Sequence, residues 1–113
     1  MEKSMTFNIL AKKESDMWLA HCLELDIVAT AKTITTLKKE IENLIITQID
    51  YAFSNDNLDN LYHPAPAEVW KEFYACKESV EKRVKMRSEF KANSFVPPWI
   101  IANTCVTEAR TVA

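Results

Sequence analysis

The 113-residue sequence contains no glycine. That absence removes the P-loop, the Rossmann phosphate turn, the glycine-rich kinase loop and the nucleophile elbow, because each brings backbone close to a ligand or turns sharply where a Cβ would clash. Positions that need a positive φ must fall to Asn or Asp, and Asn55, Asn57 and Asn60 are the candidates. Histidine occurs twice and cysteine three times, with no C-x-x-C spacing. A zinc site or a Cys–His nucleophile would therefore have to draw on distant segments. A secreted domain of this size would more often pair its cysteines, so Cys22, Cys76 and Cys105 read as small buried hydrophobes in a reducing compartment. No apolar run approaches the roughly 18 residues of a membrane span, and Met1–Met5 lacks the apolar core of a signal peptide. The expectation is a cytoplasmic protein with no membrane segment.

What is present is the composition of one ordinary globular domain: 48% hydrophobic and 27% charged residues, enough to build a core without staples. The net charge of -2 argues against a surface that coats nucleic acid. Its distribution is uneven, since residues Lys77 to Lys91 carry six bases against three acids and leave an acidic remainder of -5. Such a run reads first as a solvated helix face.

Met5 to Lys12 alternates, with Met5, Phe7, Ile9 and Ala11 on one face, as a half-buried strand does. Lys13–Asp16 is a polar hairpin connection, and Met17 to Cys22 is a second strand with Trp18, Ala20 and Cys22 on a shared face. After a bend at Leu23–Asp26, Ile27 to Ala31 makes a third, giving an antiparallel meander. Thr33 is placed as a helix N-cap. Behind it Ile34, Leu37, Ile41, Leu44, Ile45, Ile49 and Phe53 form a helical stripe, with Lys38, Lys39, Glu42 and Asn43 turned outward.

Ser54 to Ala65 reads as a loop tacked down by Leu58, Leu61 and Tyr62. Pro66 suits the first turn of a new helix. Trp70, Phe73, Cys76, Val80 and Val84 carry a narrow stripe onward, which predicts one charged helix over residues 66–91. Val96-Pro97-Pro98 breaks the chain before Trp99–Val106, an uncharged segment rich in β-branched residues. Left unpaired it would invite aggregation, so it must join its own sheet or pair across subunits of a homo-oligomer. The fold class expected is α+β: a β-β-β-α core over residues 5–53, a second helix, and a C-terminal strand over 99–106, all in one domain 1–113.

The run Trp18-Leu19-Ala20-His21-Cys22, its acidic bend at Glu24 and Asp26, the strand Ile27–Ala31 and the helix after Thr33 resemble the core of the HicB antitoxins. The similarity covers Met5 to about Phe53. Ala31 stands where that family has glycine, and Thr35-Thr36 replaces its acidic helix start. The resemblance implies a partial RNase H-like layout, β-β-β-α with a further strand, in a non-catalytic protein that sequesters a small basic toxin ribonuclease. It implies no cofactor or metal. The DNA-binding module that commonly follows in that family is not matched by the second half, so the repressor role is not carried over. Trp18, Glu24 and Asp26 are the partner-binding candidates.

Two other readings stand beside this one. An RNase H-like sheet raises a metal-dependent nuclease, for which Asp16, Glu24 and Asp26 would have to converge on ions about 4 Å apart. An orphan oligomeric domain is the other. His21 and Cys22 point to opposite faces of their strand and cannot serve one site. Trp18, Trp70 and Trp99 read as core residues rather than base-stacking platforms, because the meander half is acidic.

Overall fold

The computed structural model describes residues 4–55, 61–76, 79–85 and 99–108. The alternating N-terminal segment forms β1 (Ser4–Glu14), followed by β2 (Met17–Cys22) and β3 (Ile27–Ala31), each antiparallel to the one before. Then come α1 (Ile34–Ser54), α2 (Ala67–Tyr74), β4 (Ser79–Lys85) and β5 (Trp99–Glu108). The five strands make one open sheet in the order β3-β2-β1-β5-β4. β5 runs parallel to β1, with Ile9 opposite Thr104, and antiparallel to β4, with Lys82 opposite Ala102. The α+β class, the meander and the helix after it are as expected from the sequence.

Registers fix two faces. Phe7, Ile9 and Ala11 of β1 share one with Ala20, Cys22, Ala29, Ala31, Ile100 and Ala102, and α1 packs on it through Leu37, Ile41, Ile45 and Ile49. This is the main core. The opposite face carries Leu10 and Cys105, covered by Phe73 of α2 together with Leu23 and Ala65. A Lys12–Glu72 ion pair at 2.8 Å ties α2 to β1. α1 begins as anticipated: Thr33 is extended (φ -125°, ψ 154°) and its hydroxyl accepts from the Thr36 amide at 3.1 Å.

Four points are settled, three of them as corrections. The single charged helix over 66–91 is instead the short α2 and the strand β4, as far as Lys85; Lys77, Glu78 and Met86 to Lys91 lie outside the described residues. Val80 and Val84 are four apart, a spacing that a helical stripe and an alternating strand share. Pairing with β5 decides between them, since it gives the Val80–Val84 backbone a ladder of partners that a helix there would deny to β5. The charges between the valines are those of an edge strand. Second, of the two placements open to Trp99–Val106 its own sheet is the one taken: β5 lies inside the sheet, flanked by β1 and β4. Third, Cys76 and Cys105 are joined in a disulfide, and Cys22 is the free, buried cysteine. Fourth, the left-handed positions are Ser15 (φ 52°) and Asp26 (φ 53°), whereas Asn55 is at φ -108°. Asn57, Asn60, Leu58 and Val96-Pro97-Pro98 fall outside the described residues.

Glu14 pairs with Met17, so the first hairpin turns on Ser15 and Asp16 alone. A serine there bears the steric cost of a Cβ in the left-handed region. Ser15→Gly is expected to stabilise the fold by about 0.5–1 kcal/mol, the relief outweighing the extra chain entropy of glycine. A higher urea midpoint at unchanged slope is the result that checks this.

Candidate functional site

The three partner-binding candidates are not brought together. Trp18 lies opposite Ala31, at the end of β2 farthest from the Leu23–Asp26 bend, and its ring packs partly buried on the main core. Glu24 is an internal anchor. Its carboxylate accepts from the Asn8 backbone N–H at 2.7 Å and from Asn8 Nδ2 at 2.6 Å, while the Asn8 side-chain oxygen accepts from Asn103 Nδ2 at 3.1 Å. The loop after α1 closes over this point: His63 N–H donates to the Glu24 carbonyl and Ala65 N–H to that of Leu23. Burial, and then the Glu24 charge, holds the Tyr62 phenol above its ordinary pKa of 10.0. Asp26 alone is exposed, and its carboxylate meets His21 Nε2 at 2.5 Å.

The carboxylates of the nuclease reading are equally separated. Asp16 sits at the Met17 end of β2, whereas Glu24 and Asp26 follow its Cys22 end. The strand between them spans about 17 Å at a rise of ~3.3 Å per residue. Among the described residues no three His, Cys, Asp or Glu side chains are grouped as metal ligands.

Cys22 and His21 do point to opposite faces. Cys22 is fully enclosed in the main core, and burial pushes its thiol from 9.0 up to about 12, against smaller downward pulls from the Leu25 and Glu24 backbone. A thiol so held is no nucleophile. Native protein is expected to leave Cys22 unalkylated by iodoacetamide at mildly alkaline pH and to expose it only on unfolding. Because an unfolded thiol releases its proton near 9 while the folded one keeps it to about 12, stability falls as pH rises through that interval, by up to ~1.4 kcal/mol per pH unit. Denaturation midpoints measured across it, with Cys22→Ala as the control that should flatten the decline, check both statements.

The feature that sequence reasoning missed lies on the helix-bearing face. A helix is about 10 Å across, and five strands at ~4.8 Å spacing make a wider sheet than one helix can cover. α1 lies over β2 and β3, leaving β5 and β4 beyond its flank. A pocket of about 190 Å³ runs there. Its floor is Ile9, Ala11, Ala20, Ala102 and Thr104, and the small side chains of the alanines leave the depth; α1 gives a wall of Leu37 and Ile41. The far lip is Val80, 62% exposed. Lys82 reaches across to Glu42 of α1 at 2.9 Å, and the Glu42 carboxylate, expected to face outward, is largely covered beneath it. Small residues repeating at inward strand positions were the available signal, legible only once β4 and β5 were known to extend the sheet.

The chemistry of this arrangement is that of reception: an apolar trough with one cation–carboxylate strap, walled by a helix and floored by a sheet. Comparisons with family models, curated proteins and solved structures found no match, so this groove stands on its own geometry.

Proposed function

We propose that the protein is a non-catalytic binding module, antitoxin-like in action, which holds a small basic protein partner in the groove between α1 and β4–β5. The observation that carries the reading is the pocket of about 190 Å³ beside α1, with Val80 exposed at its lip. The resemblance of Trp18–Cys22 and its following bend and helix to the HicB antitoxins supplies the partner class, a toxin ribonuclease. A meander, a helix and a further strand beside β1 suit that layout.

No helix of the described residues is long and apolar enough to cross a membrane, and the reading places the protein in the cytoplasm. The Cys76–Cys105 bond counts against that placement, since disulfides are rare in reducing compartments. The test is a mild affinity capture of the tagged chain from its native lysate, with a ribonuclease assay on the eluate. A small basic protein whose activity appears only after denaturing separation, and which Val80→Lys no longer retains, is the expected result. A chain captured alone, or a partner indifferent to Val80→Lys, overturns the reading.

A further inference from the structure

Independently of that reading, we infer that the outer edge of β4 is a docking edge for a second copy of this chain, joined antiparallel about a two-fold axis at Lys82. β4 ends the sheet, and among the described residues no strand pairs with its outer side. A seven-residue edge strand is a template for another strand.

The sequence of β4 is self-complementary in one register. With Lys82 on the axis, Glu81 of each copy falls opposite Arg83 of the other, and Val80 falls opposite Val84. The registers with β5 put Glu81 and Arg83 on the α2-bearing face and Val80 and Val84 on the α1-bearing face. Two opposite-charge pairs thus form on one side and two valine pairs on the other, the cross-strand contacts that favour antiparallel pairing. Lys82 meets its own copy, a like-charge contact that would oppose the register. Each Lys82 is already held by Glu42 of its own chain, which neutralises the axis. Shifting the axis one residue to Glu81 sets two glutamates against each other, and shifting it to Arg83 sets two arginines together.

The opposite edge of the sheet does not offer this. β3 is five residues long and closes at the left-handed turn of Asp26 on one side and the Thr33 cap on the other. Short edges are protected edges. A two-fold axis normal to the sheet also keeps both helix-bearing faces on the same side of the joined sheet, so the exposed Val80 gains an apolar neighbour. One strand edge is small beside the interfaces of obligate dimers, so the association is concentration-dependent.

Sedimentation equilibrium of the full chain over a range of concentrations, with far-UV circular dichroism and thermal melts to verify folding, tests the inference. Wild type is expected to dimerise reversibly. Glu81→Arg and Arg83→Glu should each raise the dimer dissociation constant roughly tenfold or more, by placing like charges opposite one another twice. The two variants mixed should form a heterodimer, because one copy then presents arginine at both positions 81 and 83 while the other presents glutamate at both. A monomeric wild type overturns the inference. So does a dimer that either folded single variant leaves intact, or a mixture that fails to associate.

Discussion

Cys76→Ser is expected to lower stability by about 3–4 kcal/mol relative to the oxidised wild type, following the loop-closure entropy of a bond spanning 29 residues. Cys76 follows α2, and Cys105 is buried in β5 against Leu10. The bond therefore fastens the small second layer to the middle of the sheet. Without it α2 is held by Phe73, Val69 and Trp70 on a narrow patch and by the Lys12–Glu72 pair. That pair is partly exposed and contributes at most ~1 kcal/mol. Serine is the appropriate replacement because position 76 is only half-buried, so its hydroxyl keeps access to water. Urea unfolding of oxidised wild type, reduced wild type and the variant should place the last two together, below the first. Coincidence of all three would mean that the chain draws no stability from the link.

The first half of the fold was legible because its local signals agree with its tertiary use. β2 and β3 run as read, and Thr33 caps α1, since alternation, the cap and the 3.6-residue stripe all point one way there. The second half was not, because Val80 and Val84 satisfy two periods at once. The residues between them, Glu81, Lys82 and Arg83, are better helix formers than strand formers. Only the pairing side that β5 offers settles the matter, and that is a long-range fact. The disulfide was hidden for the same reason: Cys76 and Cys105 meet only when β5 is inserted beside β1 and α2 folds back over it. The groove inherits this, since its floor at Ala102 and Thr104 and its lip at Val80 belong to the strands whose pairing local sequence does not specify. Of the candidate site residues, Glu24 and Asp26 read as equivalent acids in one bend. The difference between them is made by Asn8, sixteen residues upstream of Glu24, which engages it twice.

That difference sets the second large effect. Glu24→Ala is expected to cost about 2–3 kcal/mol, because it strands the Asn8 backbone N–H and side-chain amide beneath the Tyr62–Ala65 loop, and hydrogen bonds to a charged acceptor are the stronger kind. Glu24→Gln should cost clearly less, through a reversal of the amide chain. Among the described residues, the buried side-chain oxygen of Asn103 has no partner. When the glutamine introduced at position 24 donates to the Asn8 oxygen, Asn8 and Asn103 both reverse their amides, so that Asn8 Nδ2 donates to the Asn103 oxygen and Asn103 Nδ2 takes the place that oxygen held. The oxygen of the new side chain still receives the Asn8 backbone N–H. Asp26→Ala, which removes an exposed partner of His21, should cost under ~1 kcal/mol. Urea midpoints for the three variants separate a structural anchor from a surface acid. A ranking with Asp26→Ala as the most damaging would return Glu24 to the surface and undo this account of the bend.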